Sequence, residues 1–357
     1  MSETVPTLDV IIGVDTHKLT HAAAAINALG ARLGTMTIPV SGKGYQALEA
    51  WAQSLGPVRA FGIEGTGSYG AGLSRFLCQS GHAVLEVNRP NRQRRYQHGK
   101  NDPLDAESAA RAVLSGQATA LPKAGTSSVE MIRHLKVARD TAVKGRSQAM
   151  LTLKALIVSS PSALREQLDR VVGKMTLVRH LAALRPGLLT STVASAKTAL
   201  RAIARRWLAL DEEIKGHDVH LEALTAARAP ELVEAHGMGT GTAAEMLLLV
   251  GDNPERIRSE AAFAKLCGAC PIPASSGKTN RHRLNRGGNR QANAALYRVV
   301  VTRLRGHQPT LDYIRRRTAE GKTRPEIIRC LKRYVAREIF GYLCAAPEPA
   351  NTPSGAA

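Results

Sequence analysis

The chain has 357 residues, which is enough for two or three domains with buried cores. Aromatic residues make up only 4%, against 44% hydrophobic residues in all, and this composition favours helices over an aromatic-rich β-sandwich. The formal net charge of +20 calls for a polyanionic partner, so nucleic acid is the first candidate and an anionic membrane surface the second.

The sequence carries no pattern of export or membrane insertion. No stretch reaches the roughly 20 apolar residues that a membrane span needs. The segment MSETVPTLDV lacks the basic region and apolar core of a signal peptide. Five cysteines, an odd number, argue against a disulfide framework and favour a reducing cytoplasm. Cys267 and Cys270 form a lone CxxC pair, which indicates two small, semi-buried thiols rather than zinc.

Residues 1–126 are expected to form a mixed β-sheet with helices packed on it. Apolar β-branched runs predict strands, and helical spacing of apolar residues predicts helices. In chain order the pattern gives a strand at 8–14, two strands joined at Leu29-Gly30, a helix at 42–56, a strand at 58–64, a helix closed by Gly81, a strand at 82–88 and a helix at 103–115. A three-strand meander followed by alternating helices and strands indicates an α/β domain.

Residues 127–228 have a helical pattern that Pro161 and the segment 185–187 interrupt. The helices are long and polar on one side, which suits a coiled-coil-like linker and dimerisation region. The heptad pattern is too irregular to distinguish a coiled coil from other extended helices.

Residues 229–345 are expected to form a helical C-terminal domain. Gly-Met-Gly at 237–239 is typical either of a helix-hairpin-helix turn, whose backbone N–H groups bind phosphate, or of an ordinary glycine-rich helix start. A basic loop then leads into another helix. The tail 346–357 is expected to be disordered.

Four acidic residues stand at the predicted ends of strands and at a helix start. Asp15 follows the first strand and Glu64 ends the fourth, and side chains at strand ends line the functional edge of an open sheet. Asp102 and Asp105 are three apart, hence on one helical face. An aspartate N-cap followed by Pro103 is also what a helix start prefers, so capping and metal binding both stay open for Asp102.

A strongly basic stretch precedes the two aspartates. It holds five cations and no acid: Arg89, Arg92, Arg94, Arg95 and Lys100. Carboxylates beside such a stretch would repel nucleic acid unless cations bridged them to phosphate. Paired Mg²⁺ ions act in this way, clamping the scissile phosphate between attacking and leaving oxygens. The four acids therefore predict a two-metal site for Mg²⁺, with Mn²⁺ as a substitute.

Four motifs in order carry a resemblance to a known family. They are IIGVDTHK at 11–18, GIEGTGSYG at 62–70, KNDPLDAESAARAVL at 100–114 and GACPIPASSGKTNRHRLNRGGNRQANAALY at 268–297. Together they resemble the IS110-type transposases of bacterial insertion sequences, including the IS1111 group, over roughly residues 8–345. The resemblance implies a RuvC-like N-terminal domain with an RNase H fold and a C-terminal transposase domain.

The resemblance also implies a composite catalytic site. Its D-E-D-D tetrad with Mg²⁺ corresponds to Asp15, Glu64, Asp102 and Asp105. Its serine nucleophile corresponds to Ser276, and the adjacent Ser275 leaves the register open. The serine would attack a DNA phosphodiester and form a covalent phosphoserine, in a bacterial, nucleoid-associated protein. Some family members also use a noncoding RNA to bridge target and donor DNA, and the expected assembly is a homodimer or homotetramer.

Basic residues follow the predicted serine: Lys278, Arg281, Arg283, Arg286 and Arg290. They can stabilise developing charge and hold DNA phosphates, or serve only as electrostatic anchors. His17 is expected either to tune the acidic site or to lie on its rim. Thr66 and Ser68 either touch a phosphate or make a turn.

Two other functions are compatible with parts of this pattern. A RuvC-like, Holliday-junction-type endonuclease would share the tetrad and use water as nucleophile. A non-enzymatic nucleic-acid scaffold would need only the positive charge and the possible helix-hairpin-helix, and the placement of the four acids at strand ends and a helix start argues against it.

Overall fold

The computed structural model describes residues 9–87, 102–279 and 281–344. These fall into two compact units. The first comprises residues up to Gly125 with Gly251–Arg256, and the second comprises Thr126–Val250 with the residues from Ile257 onward. No helix in the described ranges combines the length and apolar character that crossing a bilayer requires.

The first unit is built on a mixed five-stranded sheet. Its strands are β1 (Val10–Thr16), β2 (Thr20–Asn27), β3 (Arg32–Pro39), β4 (Val58–Glu64) and β5 (Val84–Val87). Their order in the sheet is β3-β2-β1-β4-β5. The first three strands run antiparallel as a meander, and β4 lies parallel to both β1 and β5. The mixed sheet predicted from the sequence is confirmed.

Helices cover both faces of this sheet. They are α1 (Gly42–Ser54), α2 (Ala71–Gln79) and α3 (Asp102–Leu114). Ser41 caps α1 by accepting a hydrogen bond from the Gly44 N–H. The α1 and α2 side buries Val14 and Ile63, whereas the α3 side buries Ile11. Successive residues of β1 and β4 therefore point alternately to the two helical layers.

The second unit begins with a hairpin of two long helices that are joined by two short ones. Its helices are α4 (Ser128–Val158), α5 (Ser162–Asp169), α6 (Lys174–Ala182) and α7 (Thr192–Arg228). The ion pairs Arg139–Asp218 and Arg146–Asp211 show that α4 and α7 run antiparallel. Trp207 is buried where α4, α6 and α7 meet. The breaks predicted at Pro161 and at 185–187 are confirmed, and the two long helices pack on each other within one chain.

The rest of the second unit is mostly helical. Its elements are α8 (Pro230–Glu234), α9 (Thr240–Val250), α10 (Glu260–Leu266), β6 (Ile272–Pro273), β7 (His282–Arg283), α11 (Arg290–Arg303), α12 (Gln308–Ala319) and α13 (Arg324–Cys344). A core that includes Leu247, Phe263 and Val299 joins them. The sequence predicted a plain basic loop before α11, and the structure instead folds its first half into the β6–β7 hairpin. The tail predicted to be disordered lies outside the described residues.

Candidate active site

The ends of β1 and β4 bring two of the predicted acids to one place. The parallel register pairs Val14 with Ile63, so Asp15 and Glu64 are the next residues along neighbouring strands. Both follow residues that face α1 and α2. By alternation, Asp15 and Glu64 point to the opposite face, which α3 covers. Thr16 ties the two strand ends together, since its Oγ1 donates to the Glu64 carbonyl over 2.9 Å.

Glycines in both strands allow α3 to lie directly on the sheet. A Cβ on Gly13 would stand 1.9 Å from the Ala106 carbonyl oxygen, and one on Gly62 would stand 2.6 Å from Val113. These approaches are closer than any side chain allows. The sheet-facing side of α3 accordingly carries alanines, and it begins with the buried Asp105.

Asp102, the first residue of α3, belongs to the same cluster through His17. The His17 Nε2 lies 3.2 Å from the Asp15 Oδ2 and 3.4 Å from the Asp102 Oδ2. Asp15 is almost fully buried, whereas the side chains of His17 and Asp102 are 38% and 49% exposed. One side of the cluster is therefore buried against the sheet, and the other side is exposed to solvent.

Three side chains of this cluster have metal-binding spacing. One ligand atom each from Asp15, His17 and Asp102 lies within 4.8 Å of the others. Carboxylate oxygens suit Mg²⁺ and Mn²⁺, and an imidazole nitrogen suits Mn²⁺ and other transition metals. The sequence alone left the role of His17 open. His17 directly follows the last residue of β1, so strand alternation does not fix where its side chain lies.

The turn after β4 accounts for two further residues. The Ser68 hydroxyl donates to the Gly65 carbonyl over 3.1 Å, and Gly65 has a φ of +65°. Thr66 is buried. Of the two roles left open for Ser68, this hydrogen bond supports that of a turn residue.

The predicted serine nucleophile lies on the β6–β7 hairpin. Ser276 and Thr279 pair across its tip, and Gly277 between them has a φ of +55°, which favours glycine. The Ser275 Oγ accepts the Arg281 N–H over 3.2 Å, so that hydroxyl is part of the hairpin's own bonding. Ser276 is exposed at the tip. Ser275 is exposed as well, so which of the two hydroxyls reacts stays a prediction.

The predicted basic contacts after the serine lie in three places. Lys278 is exposed at the hairpin tip, and Arg281 is exposed on its stem. A third group lines a large cleft of the second unit: Arg283, Arg286 and Arg290. The remaining predicted contacts lie outside the described residues: Arg89, Arg92, Arg94, Arg95 and Lys100.

Two further predicted features lie in the second unit. The Gly-Met-Gly segment connects the short α8 to α9, and Gly237 has a φ of +81°. This arrangement is compatible with a helix-hairpin-helix turn and with an ordinary glycine-rich helix start, so both stay predictions. Cys267 and Cys270 are both free thiols. Burial raises the pKa of Cys267 to about 12, so its thiol stays protonated and unreactive at neutral pH.

Comparison with known proteins gives matches in both units. Residues 12–160 match a transposase family model named for DEDD and IS110, and residues 229–315 match the model described as transposase IS116/IS110/IS902 family. A Streptomyces coelicolor protein named "Insertion element IS110 uncharacterized 43.6 kDa protein" is 30% identical over 144 residues. The match covers 40% of this chain and 35% of that protein, about a third of the relative's length.

Proposed function

We propose, from the premise that this chain belongs to the IS110 family of insertion-element transposases, that it cuts and rejoins DNA strands through an acidic metal site and a serine nucleophile. The observation that carries the proposal is the meeting of Asp15 and Glu64 on the sheet face that α3 covers. On this proposal the first unit is a RuvC-like domain with an RNase H fold.

The residues present fit a divalent metal. The donors are carboxylates with one imidazole, and Asp15, His17 and Asp102 already approach within 4.8 Å. Glu64 at the adjacent strand end and Asp105 one helical turn beyond Asp102 complete the set. When bound, Mg²⁺ or Mn²⁺ would offset the charge of a DNA phosphate and lower the pKa of a hydroxyl beside it.

Ser276 would carry the covalent step. Its Oγ forms a bond to phosphorus while the bond from phosphorus to the leaving sugar oxygen breaks. The serine gives up its hydroxyl proton, and the leaving oxygen takes up a proton. A sugar hydroxyl of the other DNA strand then reverses the exchange, so no external energy source is needed. Lys278 and Arg281, exposed on the same hairpin, would hold the phosphate.

The substrates, the noncoding RNA and the assembly that we propose are those that the family resemblance implies. DNA element ends and target are the substrates, and a noncoding RNA from the element would bridge them. Strand exchange between two duplexes needs several active sites, which suits a homodimer or homotetramer. The α4–α7 hairpin is the proposed dimerisation arm.

The test is strand exchange on DNA that carries the element ends and target, in the presence of the element's noncoding RNA. We expect Asp15→Ala, Asp105→Ala and Ser276→Ala each to abolish exchange while nucleic-acid binding survives. A suicide substrate should trap a protein–DNA adduct with the wild type and with Ser275→Ala, but not with Ser276→Ala. Cleavage without any adduct would instead indicate a RuvC-like endonuclease that uses water. Normal exchange by the variants of both serines would refute the covalent route.

A further inference from the structure

We propose that the cleft bounded by α11, α12 and α13 binds an unpaired strand of nucleic acid. The cleft has a volume of about 1950 Å³ and lies within the second unit. Its lining includes His282 and Arg283, which form β7 of the hairpin that carries Ser276, and Pro271 directly before β6. A strand in this cleft would therefore pass the stem of that hairpin. This inference deepens the proposed function, and the part that the bound strand plays in DNA exchange rests on that function.

The charge of the cleft favours an anionic ligand. Eleven arginine and lysine side chains line it, and Glu326 is the single carboxylate among the described lining residues. That carboxylate accepts hydrogen bonds from the Thr323 N–H and hydroxyl over 2.9 and 2.6 Å, so it is engaged at the start of α13. So dense a positive surface attracts a polyanion and releases counterions on binding.

Few of these cations are neutralised within the described chain. Arg317 pairs with Glu320, and Arg333 and Arg337 lie beside Glu260. The other eight form no ion pair with an acid in the part of the chain that the structure describes: Arg283, Arg286, Arg290, Arg316, Lys322, Arg324, Arg329 and Lys332. Lys322 and Arg329 lie close enough to the Glu326 carboxylate to lower its pKa, and the cleft keeps a large excess of positive charge.

Lys332 is a partly buried cation of the cleft that is hydrogen-bonded to a neutral group. Its Nζ donates to the neutral Asn293 Oδ1 over 2.7 Å. Burial and the charge of Arg329 hold the pKa of this lysine below its usual value. A phosphate group placed beside Lys332 would favour its charged form and so raise this pKa.

The tyrosines of the cleft indicate unpaired bases rather than a duplex. Three of the chain's seven tyrosines line it: Tyr297, Tyr313 and Tyr334. Tyr297 and Tyr334 are 48% and 51% exposed. Tyr313 meets Tyr334 edge to face, and the Arg316 guanidinium lies 5.4 Å from the Tyr313 ring centre. Aromatic rings interleaved with cations form stacking platforms for single strands, whereas a duplex already stacks its bases internally.

The experiment measures binding by full-length protein in EDTA, so that no cleavage occurs. The probes are a labelled mixed-sequence oligonucleotide of about 12 nucleotides, as single-stranded DNA and RNA, and the corresponding duplex. We expect Tyr297→Ala/Tyr334→Ala to weaken single-strand binding about tenfold or more and duplex binding little. Tyr297→Phe/Tyr334→Phe should retain affinity, because the ring is what stacks. The matched control is Tyr342→Ala, an exposed tyrosine of α13 outside the cleft.

A second pair of variants tests the charge. Arg329→Gln/Lys332→Gln should reduce the slope of log affinity against log salt by about 0.7 for each phosphate that is no longer neutralised. A difference between the DNA and RNA probes identifies which strand the cleft prefers. Wild-type single-strand affinity in the folded alanine double variant, or equal losses for duplex and single strand, would overturn the proposal. Because these assays need no metal, they give an answer even if strand exchange by the tetrad fails its own test.

Discussion

The Ala106 carbonyl oxygen of α3 lies only 1.9 Å from the position that a Cβ on Gly13 of β1 would take. The Ala110 N–H is almost as close, with its nitrogen at 2.3 Å. Both neighbours are backbone atoms, which cannot rotate away as a side chain can. The depth at which α3 sits on the sheet, and with it the position of Asp105, therefore depends on the absence of a side chain at Gly13.

Gly13→Ala should destabilise the first unit because α3 must lift from the sheet. Overpacking a tight core costs about 3 kcal/mol at the upper end of its usual range. The measurement is the midpoint of urea unfolding by circular dichroism. The control is Gly42→Ala, where no atom lies within 4 Å of the added methyl group. Equal midpoints for the two variants would contradict this account of how α3 is seated.

His21 should make the fold sensitive to mild acid. It is fully buried, and its ring stacks on Tyr45 with centroids 6.0 Å apart. Burial lowers its pKa, the hydrogen bond to the Thr20 carbonyl partly opposes this, and the nearby His17 lowers it further. The unfolded chain thus takes up a proton near pH 6.5 that the folded chain resists. Stability is complete above that pH and declines below it, by at most about 1.4 kcal/mol per pH unit.

The comparison that isolates His21 is urea unfolding at pH 7.5 and 5.5 for the wild type and for His21→Phe. Phenylalanine keeps a ring beside Tyr45 and removes the titration. We expect the variant to lose less stability on acidification than the wild type. The same loss in both proteins would assign the effect to other groups.

The sequence predicted the sheet and the breaks between the long helices, because each is encoded in a short window, whereas the role of the four acids stays a prediction. Apolar β-branched runs predict strands wherever they lie. The sequence left the role of His17 open because the apolar run that predicts the first strand ends at Val14. In the structure, β1 continues through Asp15 to Thr16. Its continuation depends on pairing with β2, where Thr16 lies opposite His21.

The β6–β7 hairpin that carries Ser276 and the basic cleft could not be predicted from sequence patterns, for a different reason. The strands β6 and β7 have two residues each, too few for an alternation. A side-chain bond from Ser275 to Arg281 and the turn at Gly277 hold them together instead. The cleft unites side chains from elements that are distant in the chain, and only packing of the second unit brings them to one surface.

The Arg303–Glu338 pair should be a main support of the C-terminal helices. Arg303 is 6% exposed and donates to both Glu338 carboxylate oxygens, over 2.7 and 2.8 Å. Its Nε also donates to the His236 carbonyl. Glu338→Ala leaves the guanidinium buried without its counter-charge, which costs about 3 kcal/mol. The control is Asp312→Ala, since Asp312 and its partner Arg315 are both exposed and the loss should stay under about 1 kcal/mol. If thermal unfolding gave comparable losses of stability for Glu338→Ala and Asp312→Ala, burial of the Arg303–Glu338 pair would contribute nothing.

His17 should contribute to cation binding in its own right, since its Nε2 lies 3.2 Å from Asp15 and 3.4 Å from Asp102. If it ligates a cation or orients the carboxylates that do, His17→Ala should weaken Mn²⁺ binding about tenfold, the low end of the effect of removing a residue that supports metal ligands. Electron paramagnetic resonance of a Mn²⁺ titration measures this without DNA and without turnover. The control is His220→Ala, an exposed histidine of the second unit. An unchanged Mn²⁺ affinity in His17→Ala would leave the carboxylates to bind the ion alone. A direct nitrogen coupling in the Mn²⁺ spectrum of the wild type, absent from His17→Ala, would identify the imidazole itself as a ligand and distinguish this role from that of a positioning residue.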